Sequence, residues 1–399
     1  MIGARGTIAT ATAVGTVAAR RGLLPLEGTI TELPPLNDLP GLPPVESIGF
    51  GGCDVRKGDM GEAALACGST VGVFARSVLD EVAAELRGSP ITLGILRRAG
   101  AAVEALSGPE THGLFRESAS DAVERISADL RTFSGGEPTV VVNLASTEPL
   151  CDPTLFGWTA EQFDGGVADD DPRIPASSLY AYAALREGMP YVNFTPSIGA
   201  GLPALVELAR QRGLPVAGRD GKTGETLVKT ALAPMFAIRG LTVEGWYGPN
   251  ILGNTDGQVL SYAENAASKV ASKQGVLEQC LGYSPAGAVR IDYFPPLVDH
   301  KVAWDFIQFR GWGGHRMRMQ FTWEGTDAVL AAPLVLDLAR LVTVALERGE
   351  SGPQEALALF FKSPEGSDEM NLHRQYEALL RRVRRWKEDA GSAIPAGVA

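Results

Sequence analysis

Residues 3–22 read GARGTIATATAVGTVAARRG. Gly3 and Gly6, followed by a run of Ala, Thr and Val, have the pattern of a glycine-rich turn opening a helix. Such a turn brings backbone N–H groups up to a pyrophosphate at the helix N-terminus. A tightly packed small-residue helix fits the same letters. A turn of this kind follows a full apolar strand, yet only Met1-Ile2 precede Gly3. Either translation begins several residues upstream, or the central strand is a stub. Residues 24–47 are rich in proline and without period, which predicts an irregular surface excursion. Ile48–Val55, IGFGGCDV, then reads as a short strand ending in an acid, Asp54.

The second informative stretch is Ala217–Lys273. It carries Lys222, Lys229, Lys269 and Lys273 in small groups among Gly, Ser and Thr, around the turn Gly253–Gly257. Point cations beside small flexible residues suit a pocket for an anionic, oxygen-rich substrate, although a solvated surface carries lysines too. The formal net charge of −11 sharpens the contrast and makes a nucleic-acid backbone an unlikely partner. Four scattered cysteines and four scattered histidines propose neither a disulfide framework nor a metal cluster, and a reducing cytoplasm fits. No uninterrupted apolar run reaches the length of a membrane span, and the N-terminal run lacks the basic start of a secretory signal. At 399 residues the chain can hold two domains.

The order of these stretches resembles the myo-inositol-1-phosphate synthase family. Its segments AGDDFKSGQTKxKS, LGNNDG and SKxxSKS have counterparts at Ala217–Thr230, Leu252–Gly257 and Ser268–Lys273. Its GxGGNNGTT corresponds to the turn at Gly3–Thr7, with Ala4-Arg5 for Asn-Asn, and its FGGWDI to Phe50–Val55. Ser146, Thr147 and Glu148 fall in its LWTANTERY, Asn193, Thr195 and Pro196 in NGSPQN, and Asp299 and Lys301 in GDSK. Lys362 falls in LKAP, and Leu330–Ala345 resembles LLATPLIIDLL. The likeness is strongest over 190–305 and weakest over 56–135. Leu227 stands where the family has lysine, Phe194 where it has glycine and Ile198 where it has asparagine.

The resemblance implies an α/β fold: an NAD-binding Rossmann domain, residues 1–190 and 301–399, with an inserted α/β catalytic and tetramerisation domain at 191–300. It implies NAD as cofactor, no metal, a sugar 6-phosphate as substrate and a homotetramer, without membrane or nucleic acid. Gly3, Ala4, Arg5, Gly6, Thr7, Asp54, Ser146, Thr147, Asn193, Thr195 and Asp256 would bind the cofactor, with Asp54 on the adenosine ribose and Arg5 meeting the phosphates. Lys222, Lys269, Lys273, Lys362, Asp220, Asp299 and Lys301 would form the catalytic set. Lys222 and Lys362 would stand near the oxidised carbon, and Lys269 and Lys273 at phosphate and carbonyl oxygens. The implied reaction converts glucose 6-phosphate to myo-inositol phosphate by oxidation, enolisation, intramolecular aldol closure and re-reduction. The departures at Leu227, Phe194 and Ile198 also fit a related synthase acting on another sugar phosphate, such as fructose 6-phosphate. A non-catalytic NAD-binding relative would have no need of clustered, desolvated lysines.

Overall fold

The computed structural model describes residues 1–70, 72–97, 100–260 and 275–392. Its main sheet is parallel throughout. β1 (Gly52–Asp54) pairs with β2 (Ile91–Leu93), and β3 (Val141–Asn143), β4 (Tyr191–Asn193), β5 (Pro215–Gly218) and β10 (Gly352–Pro353) follow one another. The two halves are joined by one residue, Ile2, which bridges Cys53 on one side and Asn143 on the other. Its N–H donates to Val142 O (2.9 Å), its carbonyl accepts from Leu144 N (2.9 Å), and Cys53 N donates to Met1 O (3.1 Å). Ile2 thus takes the central-strand position of the sheet. The sheet reads β2-β1-Ile2-β3-β4-β5-β10, and strand order reverses beside Ile2. Ligands of open parallel sheets bind at the carboxyl ends of the strands at such a reversal.

Helices cover both faces, as a parallel sheet buried on both sides requires. Helices Ala119–Ser134 and Ala176–Arg186 pack on Val141, Tyr191 and Val216. Helix Asp327–Glu347 covers Val142, Val192 and Ala217, with Trp386 of the C-terminal helix Leu372–Ser392 in the same cluster. Asp327–Glu347 is long and apolar enough to cross a membrane, but here it is a core helix, with Asp337 and Arg340 in its middle. The proline-rich segment is the irregular, mostly exposed excursion expected, and these two residues anchor it. Asp337 accepts from Ile30 N (2.9 Å), Thr31 N (2.9 Å) and Thr31 Oγ1 (2.6 Å), while Arg340 Nε donates to Pro43 O (2.8 Å). Leu36 and Leu39 are buried beneath. The segment has no period because its backbone closes in single turns, such as Leu33 N to Ile30 O (3.0 Å) and Leu36 N to Leu33 O (2.8 Å), rather than in a helix or a ladder.

The second sheet has the order β7-β6-β8-β9, formed by Val289–Tyr293, Thr242–Leu252, His300–Arg310 and Arg316–Thr326. β6 runs parallel to β7 and antiparallel to β8, and β8 and β9 form a hairpin. Helix Glu225–Ile238 covers one face through Phe236, Trp246, Ile307 and Phe309. This pairing moves the expected domain boundaries. Tyr191–Asn193 and Pro215–Gly218 belong to the Rossmann sheet, and His300–Arg310 and Arg316–Thr326 to the second. The inserted domain therefore runs from about Glu225 to Thr326, not from 191 to 300. Strand alternation shows that a segment is extended, but not which sheet it joins.

Candidate active site

The carboxyl ends of the Rossmann strands open into a cavity of about 240 Å³. Gly3 and Gly6 line its floor. Gly3 has φ 75°, and a Cβ there would lie 2.9 Å from Ala145 Cα, so the turn excludes any side chain. Gly6 caps helix Thr7–Arg20, leaving the N–H groups of its first turn at the cavity. Asp54 ends β1 and is buried. Its Oδ2 accepts from Arg5 N (2.8 Å), and its Oδ1 accepts from Arg56 N (3.0 Å) and Arg56 Nε (3.1 Å). A side-chain-free turn, a helix N-terminus and an acid one strand away fit a dinucleotide: pyrophosphate at the turn, ribose at Asp54. Arg5 also lines the cavity, with its guanidinium beside Glu62 (3.6 Å). Ala4 is fully buried in the core and does not line the cavity.

Ser146, Thr147, Thr195 and Asp256 line the cavity as expected. Asn193 stands behind the wall. Its amide donates to Ser197 O (2.7 Å) and accepts from Thr195 Oγ1 (3.1 Å), so it shapes the loop that carries Thr195. Glu148, also on the wall, accepts from Ser177 N (2.8 Å) at the start of helix Ala176–Arg186.

At the far end, Lys362 Nζ donates to Asp220 Oδ1 (2.7 Å), with both residues buried and lining the cavity. Backbone bonds hold the pair: Lys362 N to Asp220 O (2.7 Å) and Lys222 N to Phe360 O (2.8 Å). The turn and Lys362 come from opposite ends of the chain, and the β5 end brings them together. A second group involves a residue not singled out from the sequence. Asp327, at the first turn of helix Asp327–Glu347, accepts from Lys301 Nζ (3.1 Å) and Thr223 Oγ1 (3.2 Å) and lines the cavity. Lys301 itself lies one layer behind. Asp327 was legible only as an acid opening an apolar helix, a common N-terminal preference. Asp299 is buried behind Asn254 with both carboxylate oxygens lacking a hydrogen bond of good geometry, and burial pushes it up to about 6.

Lys222 is not brought into the cavity. Its side chain turns to helix Leu372–Ser392 and donates to Gln375 Oε1 (2.5 Å), and burial lowers it to about 7. Lys229 is buried against Glu225 of its own helix, and Leu227 does not line the cavity. Phe194 does line it. Lys269 and Lys273 lie outside the described residues.

The model of the myo-inositol-1-phosphate synthase family matches residues 1–384. The chain belongs to that family. Inositol-3-phosphate synthase 1 of Bacteroides thetaiotaomicron is 33% identical over 418 aligned residues, covering 96% of this chain and 94% of its own length. The Trypanosoma brucei brucei inositol-3-phosphate synthase is 34% identical over 237 residues, 55% of this chain and 44% of its own. Among solved structures, Caenorhabditis elegans inositol-3-phosphate synthase superposes with a TM-score of 0.83 at 23% identity, over 100% of this chain and 88% of that one. A myo-inositol-1-phosphate synthase-related protein from Thermotoga maritima gives 0.77 at 24%, over 96% and 97%. At these identities the two structures bear on the fold alone. As a member of the inositol-3-phosphate synthase family, the chain is an enzyme of that isomerase type, and its family is one of NAD-binding proteins.

Proposed function

We propose that the protein cyclises glucose 6-phosphate to a myo-inositol phosphate through oxidation, enolisation, intramolecular aldol closure and re-reduction. The observation that carries this reading is the buried Lys362–Asp220 pair at the end of a cavity whose other end fits NAD. Bound NAD supplies the hydride acceptor for the first step and the hydride donor for the last. Oxidation beside a hydroxyl needs a proton acceptor, and Lys362, oriented by Asp220, stands at the wall where one is required. The amine, once it has taken that proton, is a cation facing a developing enolate or alkoxide oxygen.

The substrate phosphate is assigned to the N-terminus of helix Glu225–Ile238. Thr223 and Gly224 lead into that helix, and a methyl group built on Gly224 would lie 3.6 Å from Lys301 Nζ and 3.5 Å from Trp323 Nε1. Backbone N–H groups, a lysine and an indole N–H converge there, as an anion requires. Lys269 and Lys273, which the resemblance assigns to phosphate and carbonyl oxygens, belong to the same reading.

Assembly as a homotetramer through the second sheet accompanies it. The sheet face turned away from helix Glu225–Ile238 exposes Tyr247 and Trp304, packed edge to face at 6.3 Å, and among the described residues β9 is an unpaired edge. The four cysteines are free, which accords with a cytoplasmic setting.

Incubation with glucose 6-phosphate and sub-stoichiometric NAD, followed by phosphorus and carbon NMR, tests the function. An inositol phosphate should form in excess over NAD with no build-up of NADH. Stoichiometric NADH would mean an ordinary dehydrogenase. A cyclopentane product from fructose 6-phosphate, with glucose 6-phosphate untouched, would replace the substrate.

A further inference from the structure

Where β1 ends, the turn Val55–Gly58 brings a cation against the acid of the cofactor cavity. Asp54 and Arg56 both line that cavity. A carboxylate has about four places for donors. On Asp54, Arg5 N takes one (2.8 Å), and Arg56 takes two through its N (3.0 Å) and its Nε (3.1 Å). One place is left, which suits a single ribose hydroxyl rather than a pair. Arg56 makes this contact through Nε, and among the described residues its two terminal nitrogens have no hydrogen-bond partner. Its side chain is 43% exposed, against 4% for Asp54. A second guanidinium stands over the same turn, since a Cβ on Gly58 would overlap Arg5 Nη1. An acid alone at the end of this strand accepts from the ribose 2′-hydroxyl and repels a 2′-phosphate. An arginine beside it works in the opposite sense.

We propose that Arg56 makes the adenosine end a seat for a 2′-phosphate, so that the chain takes NADP as well as NAD. This rests on the reading of the cavity as a dinucleotide site and extends it. The Nη1 and Nη2 edge of Arg56 offers two parallel donors to the phosphate, while Nε stays on Asp54. With NAD, the 2′-hydroxyl donates to the remaining place on Asp54. At similar distance and in the same medium, attraction to Arg56 cancels repulsion from Asp54. The charged hydrogen bonds from Arg56 then decide, and they favour the phosphate. Turnover as proposed returns its cofactor to the oxidised form, so the net reaction sets no requirement on which dinucleotide serves.

The test is calorimetric titration of the full chain with NAD and, separately, with NADP. Wild type should bind NADP within about tenfold of NAD. Arg56→Gln should weaken NADP by about tenfold, the worth of a charged hydrogen bond, while NAD changes less than about threefold. A thermal melt checks that the variant folds, and the wild-type ratio decides alone if it does not. The proposal is overturned if wild type binds NADP more than about tenfold more weakly than NAD. It is equally overturned if Arg56→Gln shifts the ratio of the two dissociation constants by less than about threefold. Binding of neither dinucleotide would overturn the cofactor reading itself, whereas NAD bound with NADP excluded would overturn this inference alone.

Discussion

Lys222 and Lys362 read alike in the sequence, as lysines in family motifs, yet they have opposite surroundings. Lys362 faces the cavity on Asp220, whereas Lys222 is buried against Gln375. Desolvation lowers Lys222 from 10.5 to about 7. Between those values the unfolded chain binds more protons than the native one, so this group makes stability rise with pH from about 7 to 10.5 and adds no slope below. Lys222→Met should remove that rise: the melting temperature of wild type relative to the variant should increase from pH 7 to pH 9. The lost amine leaves Gln375 Oε1 without its partner, at about 1–3 kcal/mol. Turnover should stay within a few-fold, whereas Lys362→Ala should lower kcat by about 10²–10³. Equal losses in the two variants would return Lys222 to the chemistry.

At the scale of elements, the proline-rich segment and helix Asp327–Glu347 hold each other. Three donors from Ile30 and Thr31 converge on Asp337, whose carboxyl burial pushes up to about 6. Asp337→Ala would leave those buried donors unsatisfied. A loss of about 3 kcal/mol in denaturant unfolding is expected, with new proteolytic cleavage confined to residues 24–47. Unchanged protection there would mean that Leu36, Leu39 and the Arg340 bond to Pro43 O anchor the segment without Asp337. The pattern of letters could not show this anchor. Helical and strand periods report which face is apolar, while Asp337 lies mid-helix, where a charge ordinarily means solvent.

At the scale of the whole molecule, the face of the second sheet turned away from helix Glu225–Ile238 is uncovered among the described residues. Trp304 is 38% and Tyr247 37% exposed, beside β9, an eleven-residue strand that is unpaired on one side among the described residues. Aromatic side chains and a free edge together favour association. Wild type should elute as a tetramer by light scattering, and Trp304→Arg should shift the protein to smaller species. A tetramer indifferent to that change would assemble through another surface.

The letters alone determined what local chemistry demands. A turn with no room for side chains must be glycine, hence Gly3 and Gly6; an acid must end the strand beside it, hence Asp54. The motif order carried the family and with it the α/β class. Tertiary structure decided which side of a backbone each residue faces and which sheet each strand joins. It turned Lys222 away, brought Asp327 in, folded Ala4 into the core and moved β4, β5, β8 and β9 across the expected domain boundary. Those outcomes depend on packing between segments up to hundreds of residues apart. No local period encodes them, because each is set by the free energy of burying one whole surface against another.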